Sequence, residues 1–591
     1  MEWALRQGSA IDLFMDSMNA RSMLIFHLLS LSVLCGLLFF SYLGAVPFFN
    51  KGEPREAVVV QDIFLHGNWL FPLKGGTEVP SKPPLFHWFG GFASIAWGQV
   101  TEATVRFPSA LFATLGIFTL YFFGRRIFAP RVAFLGGIIL ATTGVYLIQA
   151  VSARVDMTLS FFISLTLVYF YLLYQNFFSG RIGYYGFYLL LGVGVLAKGP
   201  VGLIIPALVI GSFLGLRKRW DIFSRLFFHE GALLTVAVVV SWYGLALVRG
   251  GEDFISRQVI HENLARFFVY GEGGTGHVKP FYFYLPHLFL EGLPWSLFLP
   301  LVVIDWVRGS SFSEDGSLFL MLWIGATFLF FSLAAGKRPV YLLPLYFPLA
   351  LLTAAWLRER PAPGRAGGFG LWCVGLIALL GCGIIGLVLF DVVSGPGPLT
   401  LFLRMASGLR PQDQAGFLLF WDVLERGSWF STLFLLGLAL PWTLLTWDLL
   451  RGRWQRVPIQ LAGSVVIAWL FAQGGLVSSL AETMSYRPFM KEVNRLVPNG
   501  KLYLYPGFFD PNPVLFYRGS SIPAREEPPQ VLAEWLHSSD VYVIMAEEAW
   551  RRIKLTDADF PAPLFKSKGG GPKGNVPLVV IQGKNFLGVH R

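Results

Sequence analysis

The chain has 591 residues, of which 54% are hydrophobic and only 14% charged, with a mean hydropathy of +0.57. A soluble domain carries about 25% charged residues and keeps its apolar side chains inside, so this composition excludes a soluble enzyme and indicates a polytopic membrane protein. Lys and Arg outnumber Asp and Glu by 47 to 36, but the excess is largely in short loops and no nucleic-acid motif accompanies it, so no nucleic-acid partner is expected.

A helix rises about 1.5 Å per residue, so roughly 20 apolar residues cross a hydrocarbon core of about 30 Å. The first such run, 24–46, lacks a small-residue cleavage site and is expected to be a retained span rather than a signal peptide. A charged, proline-rich segment follows at 47–107, with Glu53-Pro54-Arg55-Glu56 and then Ser81-Lys82-Pro83-Pro84-Leu85. Between membrane spans, sequence of this kind reads as a site and not as a linker. Further apolar runs at 108–123, 132–149, 157–177, 184–197, 200–216, 231–249, 284–305, 317–335, 339–357, 369–391, 428–447 and 458–477 bring the expectation to about thirteen spans.

Alternate loops hold the topological cations: Arg125, Arg126 and Arg131; Arg181; Arg217, Lys218, Arg219 and Arg225; Arg308; Arg358, Arg360 and Arg365; and Arg451, Arg453 and Arg456. The positive-inside rule makes these loops cytoplasmic, together with the N-terminus. The segments 47–107, 150–156, 198–200, 250–283, 336–338, 392–427 and everything after about 480 then face outward.

The unusual chemistry lies on that outer face. Asp156 stands at the outer start of a span, and Glu53 and Glu56 just beyond the end of the first. An ionisable group at a membrane boundary must be solvated, paired or useful. Pairing of Asp156 with Arg154 or Arg55 is the plain alternative to catalysis. Arg55, Lys82, Lys198, Arg266, Lys279, Lys337 and Arg338 share the same face, and three of these lysines adjoin Pro or Gly within apolar sequence. A single lysine near a span end usually snorkels, whereas such a cluster suits a phosphate or pyrophosphate.

In the loop 250–283, His261, Glu262 and His277 do not match a zinc spacing. A Gly-rich mobile loop closing over the cavity is expected there instead of a metal site; a divalent metal is possible but unsupported, and no cofactor is required. Cys35, Cys373 and Cys382 all fall in expected spans, which leaves the exported parts without a disulfide framework. After about 485 the composition changes to short β-rich runs at 501–505, 541–544 and 576–581 around a helical stretch at 529–536. Pro577 puts the last run at a sheet edge or a strand start. A soluble α/β domain over 485–591, following a membrane domain over 1–480, is the expected organisation.

Several ordered motifs resemble those of the aminoarabinose-transferase and protein O-mannosyltransferase-like membrane glycosyltransferases. They are Glu53-Pro54-Arg55-Glu56-Ala57, Gly67-Asn68-Trp69-Leu70-Phe71-Pro72, Lys82-Pro83-Pro84-Leu85, Arg106-Phe107-Pro108-Ser109, Ala197-Lys198-Gly199-Pro200, Pro280 to Pro286 and Lys337-Arg338-Pro339 to Pro344. The resemblance covers roughly residues 25 to 360 and implies a GT-C fold with juxtamembrane helices in the first outer loop. It implies transfer of a sugar from a polyprenyl-phosphate carrier to lipid A, a glycan or a protein at the outer face of a bacterial inner membrane, with membrane lipids around the spans. By position, Asp156 matches a carboxylate of the active cavity and Lys82 a lysine placed for the carrier phosphate.

The remaining roles implied are Glu53 or Asp156 as base or stabiliser of the sugar's positive charge, and Arg55, Lys82 and Lys337 as phosphate partners. Glu56, Lys198, Arg266, Arg338 and the aromatics Tyr282, Tyr284 and Tyr341 are expected near sugar or carrier. The chain departs from the family where Gly52 stands at a position usually Asp, and where Ser81 precedes Lys-Pro-Pro in place of the Glu common in the aminoarabinose branch. The rival readings are a transporter or flippase of lipid-linked sugar, although no internal repeat is evident, and a noncatalytic envelope-assembly protein.

Overall fold

The computed structural model describes residues 19–178, 180–265, 278–307, 314–359, 428–451, 453–568 and 576–583, with the single positions 375 and 383. Among the described residues, eight helical segments are long and apolar enough to cross a membrane: Ala20–Phe40, Glu102–Ile127, Val155–Tyr174, Gly180–Lys198, Ala232–Glu262, Asp315–Leu333, Pro339–Arg358 and Val457–Met484. Two bent pairs, Pro130–Ala141 with Gly144–Ala150 and Phe281–Glu291 with Trp295–Ile304, raise the number to ten if each is one span. Val201–Leu216 and Leu435–Leu450 are shorter apolar helices, while the run expected at 369–391, with Cys373 and Cys382, lies outside the described residues. The protein is a multi-pass membrane protein.

Helices of the first half of the chain supply Asp156 and Lys198, and the turn before one of them supplies Lys82. These helices are α1 (Ala20–Cys35), α2 (Gly52–His66), α3 (Leu85–Trp97), α4 (Glu102–Ile127), α5 (Pro130–Ala141), α6 (Gly144–Ala150), α7 (Val155–Tyr174), α8 (Gly180–Lys198), α9 (Val201–Leu216), α10 (Trp220–Phe227) and α11 (Ala232–Phe254). Helices α2 and α3 make up the juxtamembrane pair in the first outer loop. They pack closely because Gly90 and Gly91 offer no side chain to Val60, Ile63 and Trp69. A reciprocal capping box between Thr101 and Thr104 starts α4, satisfying backbone donors that a helix end otherwise leaves open.

The 67° bend between α5 and α6 has a local cause. Thr142 Oγ1 donates to the Ile138 carbonyl at 2.6 Å and Thr143 Oγ1 to that of Ile139 at 2.8 Å, and back-bonding of this kind bends helices. The second bent pair meets the first at its break, where Gly144 N–H donates to the Leu293 carbonyl at 3.0 Å and Trp295 Nε1 to Thr142 Oγ1 at 3.0 Å.

Helices α8 and α9 form a hairpin turned by Gly199 at φ 99°, a left-handed conformation that suits glycine. Their backbones touch at Gly194 and Gly202, where a Cβ on Gly202 would lie 2.2 Å from the Gly194 carbonyl oxygen. Backbone cannot swing aside as a side chain can, so Gly202→Ala is expected to destabilise the hairpin by about 1–3 kcal/mol and displace Lys198 at its tip. Thermal unfolding of the solubilised protein checks this, and an unchanged midpoint would mean that the two helices separate freely.

The C-terminal part is a four-stranded sheet in the order β1-β2-β4-β3, with β1 (Leu502–Tyr505) parallel to β2 (Tyr542–Ala546) and β4 (Leu578–Gln582) antiparallel to both β2 and β3 (Pro563–Lys566). Helices Pro529–Ser538 and Glu547–Thr556 complete the α/β arrangement. Pro577 precedes a central strand and not an edge one; outside the ladder its missing N–H costs nothing. The domain docks through helix Asn512–Arg518. Tyr517 Oη accepts from Phe48 N–H at 2.9 Å and donates to Glu102 at 3.0 Å, and Gln61 Nε2 donates to the Phe516 carbonyl at 2.9 Å.

One sequence expectation changes here. Within the loop read at 250–283, residues 252–265 are helical, with α11 running on into Ile255–Ala265. The glycines that suggested mobility, 271–276, lie outside the described residues.

Candidate functional site

A proline-punctuated turn, Ser81-Lys82-Pro83-Pro84, leads into α3 and leaves the Lys82 side chain 9% exposed against the Glu262 carboxylate, itself 11% exposed. On the facing helices, Asp156 in the first turn of α7 pairs with Lys198, the last residue of α8. An acid at a helix N-terminus and a cation at a C-terminus both lie favourably to the helix dipoles. Lys198 Nζ also stands 4.6 Å from the ring centroid of Tyr341, in the Pro339–Leu345 turn. Asp156 and Lys198 are 13% and 12% exposed, so both ion pairs stand largely out of water, where charge interactions are strong.

These four charges line a cavity of about 660 Å³ whose remaining wall is largely apolar, with Leu159, Val201, Phe330, Phe331 and Tyr341. Glu262 is shared with a second cavity of about 890 Å³, lined by Arg55, Glu56, Lys74, Glu78, Arg257 and His261. There the Arg55 guanidinium donates to Glu56 Oε1 at 2.7 and 3.1 Å, and His87 Nε2 lies 2.9 Å from Glu56 Oε2. Burial opposes the charge on Glu56, but Arg55 and His87 outweigh it and hold the carboxyl well below its usual range.

Glu53 occupies a different setting. Arg106 of α4 grips it with Nε at 2.7 Å and Nη2 at 3.1 Å, while Asn50 Nδ2 at 2.7 Å and Ala153 N–H at 3.0 Å complete its shell. Arg106 Nη1 reaches on to the Leu43 and Val46 carbonyls at 3.0 and 2.6 Å. Burial disfavours the Glu53 charge, yet Arg106 outweighs it and holds the carboxyl below the ordinary range. The side chain ties α2, α4 and the turn before α7 together and lines neither cavity.

The structure thus brings Lys82, Asp156, Lys198 and Tyr341 into one cavity and Arg55 and Glu56 into its neighbour. Lys337 is buried with Nζ donating to the Lys279 carbonyl at 3.0 Å and to that of Ala334, and only its neighbour Gly336 lines the first cavity. Arg338 lines neither cavity, Tyr284 is fully buried away from both, and Tyr282 is exposed. Arg266 lies outside the described residues. Asp156 pairs with Lys198 rather than with Arg154 or Arg55. Among the described residues no three His, Cys, Asp or Glu side chains are grouped as a metal would need.

Sequence reasoning missed two residues. Arg106 was visible only as part of a motif, and Glu262 was weighed solely as a metal ligand; neither has a nearby partner in the chain, and only folding supplies one. Gly52 was visible as a departure, but not its consequence, which is that the Arg154 guanidinium occupies the space a side chain there would need.

The sequence profile of the family described as "Dolichyl-phosphate-mannose-protein mannosyltransferase" matches residues 81–243. An undecaprenyl phosphate-alpha-4-amino-4-deoxy-L-arabinose arabinosyl transferase of Pseudomonas aeruginosa (strain PAO1) is 30% identical over 386 residues, covering 62% of this chain and 68% of the relative. Its counterpart "transferase 2" of Pseudomonas fluorescens is 31% identical over 364 residues, 60% of this chain and 65% of the relative. The chain thus spans just under two thirds of that second relative's length. The crystal structure of ArnT from Cupriavidus metallidurans bound to undecaprenyl phosphate superposes with a TM-score of 0.74 at 18% identity, covering 97% of this chain and 100% of that one. The fold is therefore the GT-C fold of that protein.

Proposed function

The chain belongs to the family of the undecaprenyl phosphate-alpha-4-amino-4-deoxy-L-arabinose arabinosyl transferases, and from that premise we propose that it is a membrane glycosyltransferase using an undecaprenyl-phosphate-linked sugar. The observation that carries the reading is the first cavity, which two lysines and two carboxylates line together with a set of apolar side chains. A sugar phosphate joined to an isoprenoid presents both kinds of surface.

In the proposed reaction an acceptor hydroxyl attacks the anomeric carbon. The new C–O bond forms as the bond from that carbon to the carrier phosphate oxygen breaks, and the hydroxyl proton passes to Asp156. The carrier leaves as a phosphate monoester with one more negative charge than the diester, which Lys82 and Lys198 are placed to meet. Lys198 exchanges Asp156 for phosphate as the donor enters, and this frees the carboxylate to accept a proton. Arg55 and Glu56, in the adjoining cavity, face the approach of the acceptor, which is lipid A, a glycan or a protein. The positive-inside pattern supports an inner-membrane orientation with the N-terminus cytoplasmic and the C-terminal domain periplasmic.

The test is transfer of radiolabel from an undecaprenyl-phosphate sugar to an envelope acceptor in proteoliposomes. Labelled acceptor is expected; movement of label across the bilayer with no new glycosidic bond would indicate a transporter instead. In the same assay Lys82→Ala is expected to raise the apparent KM for the carrier by about 10- to 100-fold, the worth of a charge-assisted hydrogen bond. An unchanged KM would make Lys82 a partner of Glu262 only.

A further inference from the structure

Among the described residues Glu262 alone lines both cavities, and the reaction above does not use it. It is carried by Ile255–Ala265, a π-helical segment that follows the kink at Gly251, where φ is 51° and ψ −136°. A π-helical turn closes five residues on and recurs at functional sites, so Arg257 and Glu262 fall on one face. With Ser256 and His261 they line the second cavity. Arg257 Nη1 donates to Glu78 Oε2 at 2.9 Å on the wall of that cavity, which anchors the segment there.

The charges on the two linings show what a carrier phosphate must displace. In the first cavity Lys82 is engaged by Glu262 and Lys198 by Asp156, so an entering phosphate meets two matched lysines and two carboxylates that repel it. The proposed reaction gives Asp156 a proton to accept, but Glu262 needs another partner. The second cavity offers one. Besides Glu262 its lining holds Arg55, Lys74 and Arg257 against only Glu56 and Glu78, so a further carboxylate is matched there. The charge on Arg55 is favoured first by Glu56 and further by Glu262 and Asp156.

We propose that Glu262 is a positioning residue that couples the carrier to the acceptor: Lys82 passes from Glu262 to the carrier phosphate, and Glu262 turns to the second cavity to accept a hydrogen bond from the acceptor hydroxyl. The inference rests on the transferase reading and adds an order to it, carrier before acceptor. The exchange needs only side-chain rotation, because Glu262 already stands on both walls. A hydroxyl held by this carboxylate stands where the two cavities meet, beside the one that takes the carrier. Coupling of this kind is reciprocal, so whatever loosens Glu262 from Lys82 also favours the phosphate.

The first measurement reads binding and does not require turnover. Full-length protein in nanodiscs is titrated with undecaprenyl phosphate, the carrier without its sugar. Glu262→Gln is expected to tighten binding about fivefold or more, the usual scale of a coupling between sites, because Lys82 no longer has a carboxylate to give up. A carboxylate that merely stabilised Lys82 would act the other way, and its loss would weaken binding or leave it unchanged. In a Lys82→Ala background the gain should shrink to about twofold or less, since the effect runs through that lysine. Thermal melts check folding, and Glu262→Ala replaces the first variant if that one does not fold. In the transfer assay Glu262→Gln should lower the KM for the carrier and raise the KM for the acceptor about tenfold, the worth of a hydrogen bond to a charged group. Unchanged or weaker carrier binding, a gain that survives Lys82→Ala in full, or an unchanged acceptor KM would overturn the proposal. Tighter carrier binding in Glu262→Gln without sugar transfer by the wild type would leave the exchange at Lys82 standing and remove the transferase reading.

Discussion

Asp156→Asn is expected to lower sugar transfer by about 10²- to 10⁴-fold, the usual contribution of a positioned general base, while the protein remains folded. The amide keeps the size of the carboxylate and an oxygen that can accept from Lys198 Nζ, so the α7–α8 contact survives. What it loses is the ability to take a proton and the charge that balances Lys198 and Lys82. The loss should therefore appear in kcat with little rise in the KM for the carrier, because the lysines are freed for phosphate. The contrast with Lys82→Ala, whose effect is expected in KM, separates chemistry from binding. Near-normal turnover with every acceptor hydroxyl tried would remove Asp156 from the mechanism. Loss confined to KM would make it a positioning residue for Lys198.

The second large effect concerns stability. Glu53→Gln is expected to destabilise the protein by about 3–5 kcal/mol, the penalty for leaving one member of a buried ion pair without its partner. Arg106 would remain buried beside Phe48 and the Leu43 and Val46 carbonyls, with a neutral amide in place of the carboxylate it grips. Arg106→Leu should fail in the same way from the other side, and Glu53→Gln combined with Arg106→Leu should cost less than the sum of the two, since neither charge is then stranded.

The pH dependence follows from the same pair. The Glu53 carboxyl is held below its ordinary value of about 4.3 in the folded state. Its contribution is fully present above that value and is lost as the pH falls through the lower folded one. Melting temperature against pH, compared between wild type and Glu53→Gln, checks this, and curves that stay parallel under acid would contradict it. A Glu53→Gln protein with an unchanged melt but abolished transfer would instead restore the catalytic role that position 53 suggests in the sequence.

The two carboxylates show what could be read in advance. Glu53 and Asp156 look alike in the chain, each beside an arginine at the outer end of a span. Folding gives one of them Arg106, 53 positions away, and the other Lys198, 42 positions away. The first pair is sealed by Asn50, Ala153 and the docked C-terminal domain, whereas the second stands on a cavity wall. Lys82, Lys198 and Tyr341 were legible because proline and glycine interrupt apolar sequence at those places. Glu262 was obscured because helical structure resumes after a kink at Gly251 and continues to Ala265, within what composition marks as loop.

The sequence by itself determined the class, the approximate position of most spans, the polar face, the α/β tail and the motifs that hold most of the cavity. These follow from hydropathy and local backbone chemistry, which act over a few turns of chain. The tertiary structure alone decided which charges meet. It buried Glu53 against Arg106, opened Asp156 to a cavity shared by five helical segments and the turns beside them, turned Lys337 toward carbonyls, and laid Arg154 on a glycine from another helix. Ion pairs and close backbone approaches depend on distance in space, and separation along the chain carries no record of it.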